Sequence, residues 1–430
     1  MKICLFTDFR FVTGQAATGV TKHAYFMAKG LMADARHQVS ALVAADQIGR
    51  QGCLDFLTAD RLPLPWKVAR ELWTWTDHPA ADRWTGDADW VYCPKNDWIP
   101  LRKVKYAVTI HGAHELDPSF RKTGGFRSRY VCARTRSQYL KMCERADVVF
   151  TVSEWLKNFV VEQFHADPNK IVVVGNGVDP AFYEAGRKKV LKFESPRVPK
   201  SEDGRSSLVH YCGNALVGGK GALGNPQSAG STNLLISQPA TPPSPHYSLP
   251  TNELMNSRTD EIPYILCVGG LNHIDGGDRI IALGHEIRRS GKQIRIKVAG
   301  CQHEPGTERL AAETGVIDLL GYVPHAQLAG WMADAAVFYF PTRYETFGMA
   351  AAEAMAAGCP VVTSRCTAVP EIVGNCGLYV DADRSTEVLH AVHSLIKDQT
   401  ASRALCVSGR ERAKQFTWDG CVLRLTRSLS

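Results

Sequence analysis

The amino-acid sequence predicts an α/β protein made of two doubly wound halves. Short apolar stretches rich in β-branched residues alternate with helical stretches in two separate blocks of the chain. A long segment rich in proline, serine and glycine lies between the blocks and interrupts the alternation. The length of 430 residues is also too great for one ordinary hydrophobic core. Each block is therefore expected to form a parallel sheet covered by helices on both faces.

The first block, residues 1–185, is predicted to be the N-terminal domain. Its strands are mostly continuous apolar runs, as a sheet buried on both faces requires. The predicted strands are Lys2 to Thr7, His37 to Val43, Trp90 to Cys93, Tyr106 to Ile110, Val148 to Val152 and Ile171 to Val174. The predicted helices lie near Val20 to Met32, near Arg127 to Arg145, and from Glu154 to Phe164.

Residues 186–262 are predicted to be an insertion or linker between the two domains. The segment includes Gln238 to Pro245, in which proline recurs. Such a composition cannot bury enough apolar surface to offset the entropy of ordering the chain, so we expect most of it to be disordered. Only Ser207 to Cys212 suits an additional edge strand.

The second block, residues 263–415, is predicted to be the C-terminal domain, and residues 416–430 a last helix. Its predicted strands are Tyr264 to Val268, Ile294 to Ala299, Ile317 to Leu320, Val337 to Phe340 and Pro360 to Thr363. Its predicted helices are Asp278 to Arg289, Glu308 to Glu313, Ala326 to Asp334, Met349 to Ala357, Ser385 to Ile396 and Ala401 to Gln415. The last helix, Thr417 to Arg427, is amphipathic and is expected to pack back on the N-terminal domain.

The composition favours a cytoplasmic globular protein. The 13 cysteines are scattered and form no Cys-x-x-Cys pair, which is typical of reduced thiols in a core. The apolar run at Met1 to Asp8 is too short for a secretory leader, and no run of eighteen apolar residues predicts a membrane span. A net charge of +7 is too modest to indicate nucleic acid as a partner.

One basic segment stands out against this background. Between Arg121 and Arg145 a single acid, Glu144, accompanies the basic residues Arg121, Lys122, Arg127, Arg129, Arg134, Arg136, Lys141 and Arg145. The segment is either a solvated helix face or a patch for anionic lipid headgroups or an anionic acceptor. The second interpretation predicts a peripheral position on the inner face of a membrane.

The most informative segment runs from Pro341 to Ser364. A buried strand is followed by a loop with Glu345 and Gly348, and then by an alanine-rich helix that includes Glu353. The first turn of such a helix has free N–H groups that suit a diphosphate, and carboxylates suit sugar hydroxyls. Taken without its surroundings, the same pattern also fits a helix cap and an exposed charge.

The whole string resembles the signature of glycosyltransferase family four. There, two glutamates flank seven residues and are followed by Ala-Met-Ala-x-Gly-x-Pro-Val-Val, as Glu345, Glu353 and the residues after them are here. The resemblance continues through Pro370 to Val380 and includes weaker N-terminal matches at Thr18 to Val20, Thr109 to Gly112, Val149 to Ser153 and Asn176 to Asp179. It implies the GT-B architecture, in which two Rossmann-like domains face each other across a cleft.

The resemblance also implies a reaction and roles for residues. It implies a retaining glycosyltransferase that uses a nucleotide-diphosphate sugar and needs neither a cofactor nor a metal, with a saccharide or lipid-linked acceptor. Glu353 would bind the donor ribose, and Glu345 and His111 would lie against the transferred sugar. The diphosphate and sugar would be contacted by Gly19 and by backbone N–H groups near Phe347, Gly348 and Met349. From the residues alone, His111 at the carboxyl end of a strand also lies where a catalytic group is expected, with a core histidine as the alternative.

The sequence departs from the family pattern where the diphosphate should be neutralised. The family places an arginine and a lysine after the first strand of the second domain, whereas this chain has Gly270 and Asp275. Three explanations are open: substitution by another cation, a slow enzyme or unusual donor, or a sugar-nucleotide or partner-binding protein without catalysis. The candidate replacement cations are Arg10, Arg279, Arg343 and Arg365.

Other features leave further alternatives open. A glycoside phosphorylase or a nucleotide-sugar epimerase would share the architecture, although no lysine motif for a pyridoxal cofactor is seen and the paired glutamates favour transfer. Two Asp-x-Asp strings, Asp87 to Asp89 and Asp381 to Asp383, read better as loop or helix-start residues than as metal ligands. A tryptophan cluster suits either sugar stacking or core packing, and consists of Trp66, Trp73, Trp75, Trp84 and Trp90.

Overall fold

A computed structural model describes residues 1–8, 19–49, 54–112, 116, 126–194 and 262–430, with backbone alone at 126–127 and 190–194. The predicted insertion lies almost entirely outside these residues, as do Arg10, Thr18, Arg121 and Lys122. Within the described part, no helix is both long enough and apolar enough to span a membrane.

The N-terminal half is built on a parallel sheet with helices on both faces. Its strands are β1 (Lys2–Phe6), β2 (Gln38–Ala44), β3 (Thr58–Leu62), β4 (Trp90–Cys93), β5 (Lys105–Ile110), β6 (Val148–Thr151) and β7 (Ile171–Val173). They pair in the order β3-β2-β1-β4-β5-β6-β7. Its helices are α1 (Gly19–Ala33), α2 (Trp66–Thr76), α3 (Phe126–Arg145), α4 (Glu154–Phe164) and α5 (Pro180–Glu194). The order reverses between β1 and β4, which is where sheets of this type bind ligands.

The C-terminal half repeats this plan with a six-stranded parallel sheet. Its strands are β8 (Tyr264–Val268), β9 (Arg295–Ala299), β10 (Ile317–Gly321), β11 (Val337–Phe340), β12 (Val361–Thr363) and β13 (Gly377–Tyr379), in the order β10-β9-β8-β11-β12-β13. Its helices are α6 (Gly277–Ser290), α7 (Thr307–Thr314), α8 (His325–Asp334), α9 (Met349–Ala356), α10 (Val369–Val373), α11 (Ser385–Lys397) and α12 (Gln399–Ala413). Strand β11 is completely buried between β8 and β12.

Two helices cross from one half to the other. Helix α5 follows the N-terminal sheet but packs against α8 and α9. The last helix, α13 (Trp418–Leu429), follows the C-terminal half but packs on α1. There the Trp418 ring stacks on Phe26 at 4.5 Å between ring centroids, and Leu425 and Leu429 are buried with Leu31. The two halves are therefore joined by exchanged helices in addition to the connecting chain.

The structure corrects several element predictions. Strand β3 was not expected, because as an edge strand it exposes four of its five residues and shows no apolar run. Helices α2 and α10 and strand β13 were not predicted either. The predicted domain end at residue 185 falls inside α5, which continues to Glu194. Of the tryptophans, Trp66 and Trp73 are buried in the core while Trp75 is exposed.

Candidate active site

The connection from β11 to α9 and the helix that follows it hold the two acidic residues that the sequence singles out, Glu345 and Glu353. Gly348 adopts a φ of +94°, which side chains disfavour, and this conformation allows α9 to begin at Met349. All residues from Ala351 to Ala356 are buried, and because four of the six are alanines, α9 lies close to the sheet. The N–H groups of Ala351 and Ala352 donate to the Gly348 carbonyl, whereas those of Met349 and Ala350 have no acceptor within the helix and form its positive end.

Glu353 lies in the second turn of α9 and is paired with a lysine of the other half. Its Oε1 lies 2.7 Å from Nζ of Lys22, in the first turn of α1. The side chains of Lys22 and Glu353 are only 12% and 4% exposed. Removing one partner of such a buried pair leaves an uncompensated charge and costs about 3–5 kcal/mol. The ion pair therefore fixes the position of Glu353 and joins α1 to α9.

The backbone of Glu345 is hydrogen-bonded to Thr367, and the pKa of its carboxyl group is raised. Its N–H donates to Oγ1 of Thr367 at 2.8 Å, and the Thr367 hydroxyl donates to the Glu345 carbonyl at 2.6 Å. Thr367 itself has a φ of +40°, which is uncommon for a β-branched residue. Strained backbone conformations of this kind cluster at functional sites. Burial raises the pKa of Glu345 to about 8, helped by the nearby carboxylate of Asp275 and opposed by a hydrogen bond from the Gly348 N–H. At neutral pH Glu345 is therefore mostly protonated in the absence of a ligand.

Three segments of the N-terminal half lie directly against this connection. A Cβ atom on Gly19 would come within 2.8 Å of Sδ of Met349, so the start of α1 faces the start of α9. A Cβ atom on Gly112 would come within 2.8 Å of Cγ2 of Thr346. The hydroxyl of Ser153 donates a hydrogen bond of 2.6 Å to the Thr346 carbonyl. The weak N-terminal motifs of the sequence thus converge on the strongest motif.

His111 follows β5 at the same junction and is held neutral. Its Nε2 lies 2.9 Å from the carbonyl of Pro94, and because a carbonyl only accepts, Nε2 carries the proton. Nδ1 is then an acceptor. The pKa of His111 is lowered to about 4, mainly by burial and in part by the charge of Lys95, and the hydrogen bond to the Pro94 carbonyl opposes this shift. The ring of His23 packs edge-on against His111, with 4.6 Å between the centroids.

The side chain of Phe347 is not directed to a ligand. It is buried, with its ring packed against Phe416 at 5.5 Å between centroids. Only the backbone of this residue is available for the contact that the family resemblance implies. The N–H of Gly348 is engaged by Glu345, so the first-turn N–H groups of Met349 and Ala350 are the best placed for an anion.

Two of the predicted replacement cations are already neutralised. Arg279 makes a two-pronged ion pair with Asp383, with both N–O distances at 2.7 Å. Arg343 makes a similar pair with Asp278, again with both distances at 2.7 Å. Each arginine also donates to a backbone carbonyl of the C-terminal half. These contacts argue against Arg279 and Arg343 as free cations for a diphosphate.

At the two positions where the family has an arginine and a lysine, this chain has the uncharged Gly270 and the acidic Asp275. A Cβ atom on Gly270 would overlap the Gln302 carbonyl, so no side chain fits there without movement. Asp275 is held by Asn272, whose Nδ2 donates to Oδ2 at 2.5 Å. Burial raises the pKa of Asp275. The exposed Arg365 packs its guanidinium over the Tyr379 ring at 4.1 Å and lies in the β12–α10 loop, whose Thr367 bonds the Glu345 backbone.

The two Asp-x-Asp strings have structural partners. Asp87 pairs with Lys2, and Asp89 accepts a hydrogen bond of 2.8 Å from the Lys2 N–H. In the second string, Asp383 binds Arg279. Among the described residues, no cluster of three or more histidine, cysteine or acidic side chains is arranged to hold a metal.

Lys22 and Thr367 are the site residues that the sequence did not reveal. The contact of Lys22 with Glu353 joins residues 331 positions apart, so no local pattern indicates it. The only available signal was that Lys22 lies three residues after Gly19, in the first turn of a helix that follows a predicted phosphate-binding glycine loop. Thr367 is marked only by its backbone conformation, which a sequence does not show.

Two family models match the chain, one on each half. Residues 17–182 match the model for glycosyltransferase family 4, and residues 262–398 match the model for glycosyl transferases group 1. Two parallel α/β sheets of this topology have the GT-B fold of glycosyltransferases, which the structural neighbours share. The chain belongs to the family-four, group 1 type of this class.

Individual relatives and structures agree with this class. The O-antigen chain mannosyltransferase B of Escherichia coli is 37% identical over 108 residues, which are 25% of this chain and 28% of that protein. A GDP-mannose-dependent phosphatidylinositol dimannoside mannosyltransferase of Mycobacterium tuberculosis is 32% identical over 189 residues, 43% of this chain and 45% of that protein. These matches thus span less than half of each relative's length. The sucrose-phosphate synthase of Thermosynechococcus elongatus has a TM-score of 0.64 at 15% identity, covers 99% of this chain and 97% of its own, and shows the shared fold alone.

Proposed function

We propose that the protein is a retaining, metal-independent glycosyltransferase that moves a hexosyl unit from a nucleotide-diphosphate sugar to an acceptor hydroxyl. The acceptor is a growing surface polysaccharide or a glycolipid. One observation carries the proposal: the start of α1, His111 and the connection with Glu345 and Glu353 all meet at one junction between the two sheets. An extended ligand at this junction touches a helix start, two carboxylic acids and a neutral imidazole.

Each part of the junction suits one part of a sugar nucleotide. The opposing starts of α1 and α9 favour the diphosphate, because their N–H groups and dipoles point toward it. Glu353 offers a carboxylate oxygen to ribose hydroxyls. Glu345 and Nδ1 of His111 offer hydrogen-bonding groups to the hexose. The alternative of a helix cap with an exposed charge does not fit, since Glu353 is buried.

The reaction requires little covalent chemistry from the protein. The acceptor oxygen bonds to the anomeric carbon on the face from which the diphosphate leaves, and the departing phosphate oxygen takes the proton of the acceptor. The protein positions both reactants and stabilises the negative charge that grows on the leaving group. A neutral His111 accepts a hydrogen bond from the sugar and adds no charge to it. Glu345, which is mostly protonated in the empty site, can donate a hydrogen bond to a sugar oxygen when the donor binds.

The choice of donor follows from the relatives. Both relatives described above are named as mannosyltransferases, and one is named as dependent on GDP-mannose. GDP-mannose is therefore the first donor to test.

Membrane association is part of the proposal, but the structure changes the surface that would mediate it. Within the basic segment, Arg134 pairs with Glu71, and Lys141 and Arg145 pair with Asp77, so these charges are partly neutralised by α2. Beside them, α2 and α3 expose a row of large apolar side chains with basic neighbours. We define the α2–α3 face by Val68, Leu72, Trp75 and Tyr130, together with the exposed Lys67, Arg129 and Arg136. An aromatic and aliphatic row flanked by cations suits an anionic bilayer surface.

A transfer assay tests the proposed function. Purified protein is incubated with GDP-mannose and other nucleotide sugars, with a panel of lipid-linked and oligosaccharide acceptors, and with EDTA in a parallel set. We expect one donor to be consumed, an α-linked product from an α-linked donor, and no loss of rate with EDTA. Inversion of the anomeric carbon would reject the retaining mechanism. Binding of a nucleoside diphosphate without transfer or hydrolysis of any donor would favour a binding protein that lacks catalysis.

A further inference from the structure

The candidate donor site carries an excess of acidic groups. Glu345, Glu353 and Asp275 lie in or beside it, and the candidate cations Arg279 and Arg343 are held by Asp383 and Asp278. A diphosphate that enters this site brings its negative charge beside the Glu353 carboxylate, while Glu345 is mostly protonated. Without a positive partner, its binding would be opposed by charges that the protein interior screens only weakly.

Lys22 is the cation that the structure places inside this group. Its Nζ lies 2.7 Å from Oε1 of Glu353, and its side chain is 12% exposed. It comes from the first turn of α1, whose first residue, Gly19, faces Met349 at the start of α9. The ammonium group therefore lies close to both helix starts that suit a diphosphate. An ammonium has three N–H donors, and its pair with Glu353 uses one of them.

We propose that Lys22 binds the diphosphate of the donor and supplies the positive charge that is missing at Gly270 and Asp275. This inference rests on the proposed function, because it assigns a ligand to the same site. In the empty site Lys22 neutralises Glu353. When the donor is present it keeps this contact with one N–H and donates its others to phosphate oxygens. The positive charge beside the diphosphate is thus supplied by the N-terminal half, whereas in the family pattern it is supplied by the C-terminal half.

A purely structural role for Lys22, as a latch between α1 and α9, is the competing explanation. The two roles differ in what they do to phosphate recognition. A latch affects every ligand of the closed site equally, whereas a diphosphate-binding residue affects only ligands that carry phosphates. The decisive quantity is therefore the ratio of the affinity for a nucleoside diphosphate to the affinity for the corresponding nucleoside.

The test measures this ratio by calorimetry for GDP with guanosine, UDP with uridine and ADP with adenosine, using the full chain. In Lys22→Met we expect the ratio to fall by about tenfold to a hundredfold, the loss of a hydrogen bond to a charged group. Lys22→Arg should keep most of the ratio, since the charge is retained. Lys29→Met is the matched control, because it removes an exposed lysine from the same helix, and it should leave the ratio unchanged.

Two further variants keep the test decisive if Lys22→Met folds poorly. The double variant Lys22→Met with Glu353→Gln leaves no unpaired buried charge, and it should still show the reduced ratio. Glu353→Gln alone should weaken nucleoside binding but retain the ratio. An unchanged ratio in both variants that lack Lys22, while the wild type binds a diphosphate, would overturn the role of Lys22 only. A wild type that binds none of the three diphosphates would instead overturn the proposed function.

Discussion

The carboxylate of Glu371, in α10 of the C-terminal half, caps the first turn of α4 in the N-terminal half. Its two oxygens accept hydrogen bonds from the N–H groups of Glu154, at 2.9 Å, and Trp155, at 3.0 Å. These N–H groups have no acceptor within α4, and the helix dipole makes the contact favourable for a negative charge. Glu371 belongs to the second block of the family resemblance, and the structure gives that block a role at the junction of the halves.

This contact predicts a loss of stability in Glu371→Ala. We expect the free energy of unfolding to fall by about 1–2 kcal/mol, the usual value of a helix cap. Glu371→Gln should lose less, because its amide oxygen still accepts one bond. Urea unfolding followed by fluorescence measures both. Equal losses in the two variants would contradict the capping role.

A second prediction concerns Gly348, which begins α9 with a φ of +94°. Gly348→Ala should destabilise the fold by about 1–2 kcal/mol, because a Cβ atom disfavours this conformation. It should also weaken the binding of GDP, since the N–H groups of α9 would shift. Gly291→Ala is the matched control: it has a φ of +66° at the end of α6 and open space around it. The control should show the loss of stability without the loss of affinity, as measured by thermal denaturation and calorimetry.

The raised pKa of Glu345 predicts a pH dependence of stability. Between its ordinary value of 4.5 and about 8, the folded chain holds a proton that the unfolded chain has released. The contribution of Glu345 to stability therefore falls as the pH rises through this window. Glu345→Gln lacks this effect, so it should gain stability relative to the wild type between about pH 5 and about pH 9. Urea unfolding at several pH values tests this, with the exposed Glu308→Gln as control. A constant difference between variant and wild type would contradict it.

The contacts of His111 predict a defect in transfer rather than in nucleotide binding. His111→Phe removes both the donor to the Pro94 carbonyl and the acceptor at Nδ1, and should lower the transfer rate by about a hundredfold. His111→Gln can still donate to Pro94 and should lose less. The affinity for GDP should stay unchanged, because no sugar is present. Since the pKa of His111 is about 4, its ionisation should not alter the rate between about pH 6 and about pH 8. An equal loss of GDP affinity would place His111 elsewhere in the site.

The α2–α3 face predicts a liposome phenotype. Trp75→Ser and Leu72→Ser should each reduce co-sedimentation with vesicles that contain anionic phosphatidylglycerol, because apolar burial and charge act together in such binding. Val407→Ser is the matched control, since Val407 is 60% exposed on α12, away from this face. Absence of binding by the wild type at low salt would remove the membrane proposal. Equal loss in the control would assign the effect to general hydrophobicity.

The sequence predicts the fold where local patterns decide the structure. Helix α4 was predicted with its observed bounds, because Ser153 caps it and its apolar residues have helical spacing. The connection from β11 to α9 was also predicted, since a buried strand, a glycine and an alanine-rich helix are all visible in the sequence. Edge elements such as β3 were missed, because their residues face solvent and carry no apolar signal.

The site was predicted only in part, because its charges are balanced by long-range contacts. Glu353 was predicted as a donor-binding residue from its motif, but its pairing with Lys22 depends on how two distant helices pack. Arg279 and Arg343 were plausible cations from their position in the chain. Their ion pairs with Asp383 and Asp278 form only when the loops of the C-terminal half come together.

The exchange of α13 has a practical consequence for dissecting this enzyme. A fragment that ends before Trp418 would bare the apolar flank of α1, where Phe26 and Leu31 now meet the last helix. Such a truncated N-terminal piece is expected to aggregate, so a separately expressed version must carry α13 through a fused linker or be supplied with it as a peptide.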